Sequence, residues 1–117
     1  MEIIYKDKKT EKICTSLKAA KKELSAYATD LMAKINFIEG AVSFNDIRSY
    51  IPFHCHPLQG DMEDYWSLDI KGRKCSWRLI VAPLDAEQNI IKAGADFSKE
   101  CVQIKIILVE GVSNHYE

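Results

Sequence analysis

The groups in this 117-residue chain best suited to chemistry are two histidines one residue apart, an arginine inside an apolar run and a polar, aromatic tail. His54 and His56 stand in the segment His54-Cys55-His56-Pro57-Leu58-Gln59-Gly60, and in an extended backbone two residues at that spacing point their rings the same way. Such a pair can carry protons near neutral pH, one ring orienting the other, or ligate a metal with help from a cysteine. A metal site lacks a third and fourth ligand at recognisable spacing, so none is expected. Exposed loop histidines ahead of Pro57 are the plain alternative. Arg78 follows Trp77 in the apolar run 76–82, a costly place for a permanent charge unless it faces a partner or a phosphate. Its plain alternative is a sheet-face arginine paired with Asp69 or Glu110. In the tail, His115 beside Tyr116 supplies a proton carrier and a flat ring, which an RNA-cutting site uses for acid chemistry and for stacking an unpaired base. A frayed terminus is the alternative there, and Trp66 and Trp77 read as core or sheet-face aromatics.

These groups need elements to position them. Residues 2–6 are β-branched and aromatic enough for a first strand, with Asp7 as cap of the helix that follows. Ile13, Leu17, Ala20, Leu24, Ala28, Leu31, Met32, Ile35 and Ile38 recur at steps of three and four, so one side of this region faces a core. Ser25 is read as splitting it into two helices by capping the second, and Gly40 as its stop. Ser43, with Asp46 three residues on, predicts a short helix ending before Pro52. Strands are expected at 65–70, 76–82 and 102–109, the first two joined by the glycine-containing hairpin 71–74. Residues 83–100 read as a long connection with one extra strand at 89–92. The expected fold class is α+β: an N-terminal strand and helices packed on an antiparallel sheet.

Length fits one domain, 1–117, and 47% hydrophobic with 28% charged residues predicts a packed core. Cys14, Cys55, Cys75 and Cys101 stand singly and read as reduced thiols. No signal-peptide layout and no apolar run of about 20 residues is present, which predicts a cytoplasmic protein away from membranes. The net charge of −1 argues against nucleic-acid binding by bulk charge. Local patches are still available: Lys6, Lys8, Lys9, Lys12, Lys18, Lys21 and Lys22 crowd the N-terminal part, where amphipathic helices would suit an acidic partner, and Lys71, Arg73, Lys74 and Arg78 cluster mid-chain.

Taken in order, the turn His56-Pro57-Leu58-x-Gly60, the strand Trp66-Ser67, the strand Trp77-Arg78-Leu79 and a closing hydrophobic strand ending in His115-Tyr116 resemble the RelE superfamily. Within it the chain looks most like HigB-type toxins of type II toxin-antitoxin modules, the specific part covering residues 54–82 and 102–116. The resemblance implies a RelE-like, microbial-ribonuclease-like fold. It also implies an mRNA interferase that enters the ribosomal A site and cuts messenger RNA without a cofactor, restrained by a cognate helix-turn-helix antitoxin.

By the same resemblance His56 and Arg78 match the histidine and arginine of the family's motifs. His115 and Tyr116 occupy the place of its terminal Asp-Tyr-His group, here in the order Asn-His-Tyr. The implied reaction is attack of the RNA's 2'-hydroxyl on the adjacent phosphate, with His56 and His115 as base and acid. Arg78 would meet the charge that builds on the phosphoryl oxygens, and Tyr116 would stack on a base or assist as acid. RNA contacts are expected from His54, Gln59, Lys71, Arg73 and Lys74. HigB toxins often carry lysine where this chain has Gln59, so the neighbouring hairpin cations would have to replace it. The competing expectation is a catalytically weakened or inactive RelE/ParE-fold binding module, acting through protein partners such as an antitoxin or a gyrase-like target.

Overall fold

The computed structural model describes residues 1–114. Strand β1 (Glu2–Tyr5) leads directly to α1 (Lys8–Thr15), and Asp7 caps it as the sequence predicts, its carboxylate accepting the Thr10 N–H at 2.8 Å. The helical region then breaks twice rather than once. Ser16, in extended backbone, donates its N–H to the Lys12 carbonyl and accepts the Ala19 N–H on its hydroxyl at 3.3 Å, closing α1 and opening α2 (Leu17–Leu24). Ser25 caps nothing with its side chain. It takes φ +52° and starts one 3-10 turn, Ser25–Tyr27, that leads into α3 (Ala28–Gly40).

Gly40 ends α3 where expected, and the Met1 ammonium occupies the open carbonyls there, donating to Ile38, Glu39 and Ala41 at 3.3, 3.0 and 2.6 Å. In α4 (Phe44–Ser49) the cap works the other way round from the serine-led expectation: Asp46 accepts the Val42 N–H at 2.8 Å, while the Ser43 side chain makes no cap bond. The turn Ile51–Phe53, with Pro52 inside it, follows.

Strands β2 (His56–Pro57), β3 (Trp66–Asp69), β4 (Arg78–Leu84) and β5 (Ile106–Ser113) complete a five-stranded sheet in the order β1-β5-β4-β3-β2. The fold is α+β, as expected. The four later strands run antiparallel, but β1 is parallel to β5, so the sheet is mixed rather than wholly antiparallel. Strand direction follows from the path of the intervening helices, which residues 2–6 do not encode. The last strand begins later than predicted because α5 (Phe97–Glu100) continues into the turn Cys101–Gln103. The strand expected at 89–92 reduces to a single bridge between Leu84 and Ile90.

Ala20, Leu24, Ala28, Leu31, Ile35 and Ile38 from the helices pack in one cluster with Trp66, Leu68, Leu79, Val81, Ile107 and Val109 from the sheet. Each fully buried leucine, isoleucine or valine side chain among these contributes roughly 1.5–3 kcal/mol. Leu17, expected in this stripe, is 44% exposed. With alternate side chains of β3 and β4 committed to the helices, the intervening ones, Ser67, Asp69, Arg78 and Ile80, belong to the opposite face, and His56 pairs with Ser67. Among the described residues no helix is long and apolar enough to cross a membrane.

Candidate functional site

His54 and His56 come together, though not through the extended spacing that predicts it. The turn Ile51–Phe53 ends at His54 in the left-handed region, φ +45° and ψ +49°. That bend sets the two rings 4.9 Å apart, centre to centre, and places the His54 carbonyl 2.8 Å from Nδ1 of His56. A carbonyl only accepts, so His56 donates Nδ1–H to it, and in the neutral ring Nε2 is then the acceptor. His56 is partly exposed at the edge of the sheet, and its backbone is held in register opposite Ser67. The result is an imidazole held in one tautomer, able to take a proton through Nε2.

Cys55, between the histidines, is of a different character. Burial pushes its thiol up to about 12, against the opposing pull of the Arg48 guanidinium, so the thiolate needed for nucleophilic or metal-binding chemistry is disfavoured. Among the described residues no three His, Cys, Asp or Glu side chains converge as a metal would require.

Arg78 is turned inward. Its Nε lies 3.0 Å from Asp69 Oδ1 directly across the strand pair, with the two side chains 10% and 1% exposed. One terminal amino group donates to the carbonyls of Trp77, at 2.9 Å, and Cys75; the other donates to that of Arg73 at 3.5 Å. Of the two partners open to it in the sequence, Asp69 is the one in register. Glu110 pairs instead with Lys6 at 2.8 Å and with the Tyr65 hydroxyl, whose pKa is raised by burial and then by that carboxylate. Three carbonyls of the segment 73–77 therefore converge on one guanidinium. Arg78 braces the turn that carries the basic residues, and no hydrogen bond or ion pair among the described residues joins it to His56.

Lys71, Arg73 and Lys74 are exposed on that turn, which Gly72 closes at φ +69°. Lys71 approaches Asp30 at 3.7 Å, an exposed pairing that holds it weakly. Gln59 is exposed just before Gly60, which has φ +70°. Trp66 is a core aromatic, as read: it stacks on Phe97 with centroids 5.5 Å apart and receives the Arg48 guanidinium 5.7 Å from its centre. His115 and Tyr116 lie outside the described residues.

Two groups absent from the sequence-based site are Ser67 and Asp69. The Ser67 hydroxyl and Asp69 Oδ2 are buried without a hydrogen-bond partner, and the Oδ1 contact is an ion pair without an aligned hydrogen bond. The signal for them was the alternation Trp-Ser-Leu-Asp-Ile, which sets two small polar residues on the face opposite the core. No known protein-family model matches the chain, and a search of curated proteins finds no match either.

Proposed function

We propose that this protein is a RelE/HigB-type toxin that cleaves messenger RNA on the ribosome, with His56 as a proton-transferring group. The observation that carries the reading is the His56 ring, held through Nδ1–H by the His54 carbonyl and left with Nε2 as its acceptor at the partly exposed sheet edge. In this scheme Nε2 takes the proton of the attacking 2'-hydroxyl and His115 returns one to the departing 5'-oxygen. Tyr116 stacks on or assists at the cut, and His54 and Gln59 touch the RNA. Lys71, Arg73 and Lys74 meet the phosphates, because Arg78 acts by shaping their turn. The chemistry uses no cofactor. A cytoplasmic location and a cognate helix-turn-helix antitoxin belong to the same proposal. Purified protein added to programmed ribosomes should cut bound message, and His56→Gln should slow cutting by roughly 10²–10⁴-fold; intact message with the unsubstituted protein removes the nuclease reading.

The inward commitment of Arg78 favours a second reading, a binding module of the same fold that acts only through protein contacts. Under it expression slows growth without message cleavage, and His56→Gln changes nothing.

A further inference from the structure

The net charge of −1 conceals a separation. Residues 8–24, which form α1 and α2, carry six lysines and two glutamates, a net of +4, leaving −5 on the rest of the chain. Between these helices runs a groove of about 290 Å³ whose walls carry four lysines, Lys9, Lys12, Lys18 and Lys22, and one acid, Glu23, with Ile13, Ser16 and Ala19 also lining it.

Helix stability explains only half of this placement. Lys12, Lys21 and Lys22 lie in last turns, where a cation suits the helix dipole. Lys8, Lys9 and Lys18 lie in first turns, where it opposes the dipole, and the α2 first turn carries no acid. Like charges also recur at three- and four-residue steps, Lys9 with Lys12 and Lys18 with Lys22, an arrangement that weakens a helix. Lys6 and Lys71 have ion-pair partners, but none of the six lysines of α1 and α2 does among the described residues. The groove thus carries four lysines against one acid, Glu23, and two of those lysines, Lys9 and Lys18, stand against the interest of their own helices.

We propose that this groove docks an acidic, amphipathic peptide segment of a protein partner, its apolar side chains against Ile13 and Ala19 and its carboxylates against the four lysines. Residues 8–24 contain no aromatic ring on which an unpaired base could stack, and apolar lining offers nothing to a phosphate backbone. Both points favour protein over RNA. The inference is independent of the nuclease reading and of His56.

The test measures binding of a labelled helical peptide of about 15 residues, with leucines on one face and glutamates flanking them. Its comparisons are a scrambled peptide of equal composition, a single-stranded RNA and an RNA duplex, each at about 0.05 and 0.15 M salt. The patterned peptide should bind at least tenfold more tightly than the scrambled one, with amide shifts confined to α1 and α2. The Lys9→Glu, Lys18→Glu double variant should weaken binding at least tenfold while raising the thermal midpoint, since both changes put an acid in a first turn. RNA binding more tightly than the peptide and losing affinity in the same variant would make this a nucleic-acid surface and overturn the proposal. Equal affinity for both peptides, or no binding, also overturns it.

Discussion

Asp69 and Arg78 face each other across β3 and β4 with Oδ1 and Nε 3.0 Å apart, a carboxylate and a guanidinium both almost sealed from water. Removing only the cation leaves a buried carboxylate uncompensated and releases three carbonyls of the 73–77 segment. Arg78→Ala should therefore cost about 3–5 kcal/mol, read as a lower urea midpoint. The pair replacement Asp69→Leu, Arg78→Met should recover most of that loss. An Arg78→Ala protein of unchanged midpoint would return Arg78 to a purely functional role.

The histidines separate by what each supplies. His56→Gln should leave the urea midpoint nearly unchanged and reduce message cleavage by roughly 10²–10⁴-fold, the range of a general acid or base. His54→Gly keeps the carbonyl that holds His56 and relieves a left-handed backbone, so cleavage should persist with weaker RNA binding at most. Single-turnover cleavage assays on the two variants check both outcomes.

Gly72 turns the basic hairpin at φ +69°, and a Cβ there meets nothing within 4 Å. Gly72→Ala should thus cost about 1–2 kcal/mol through backbone strain alone. The same substitution should blunt any interaction that depends on Lys71, Arg73 and Lys74. Urea unfolding, with RNA affinity measured alongside, tests the pair of effects.

Asp7 sets an acid-side dependence. The Thr10 backbone N–H, then its side chain, lowers the carboxyl pKa from its ordinary value. A folded value below the unfolded one gives stability that is present above the ordinary carboxylate range and lost as pH falls through the lowered value. Asp7→Asn keeps an acceptor at the cap without the titration. Its thermal midpoint should fall less steeply than that of the unsubstituted protein between about pH 5 and pH 2, where carboxylates of this kind gain protons.

Local chemistry was the legible part of this fold. The Asp7 cap, the Gly40 stop and the core stripe of α2 and α3 each rest on residues a few positions apart. Ser16 escaped because a serine amid lysines carries the same local signal as any exposed helix residue, and only its extended backbone makes it a boundary. Leu17, next to it, fits the periodicity but falls at the start of the new helix and faces out.

Non-local features were less legible. The choice between Asp69 and Glu110 for Arg78 depended on strand register, which no single segment specifies. His54 and His56 were recognisable as a pair, yet the left-handed bend that locks the second ring to the first carbonyl is unusual for a histidine and has no sequence signature.

The position of β5 between β1 and β4 has a consequence for a chain being synthesised. Strand β1 finds its strand neighbour among the described residues more than a hundred residues later, when residues 106–113 have been made. Until then α1 to α3 have no completed surface to cover, and the edges of β1 and β4 that flank the missing strand stay open to other chains. Folding should accordingly be late and abrupt, and a nascent chain stalled before residue 106 should be a natural client for a chaperone.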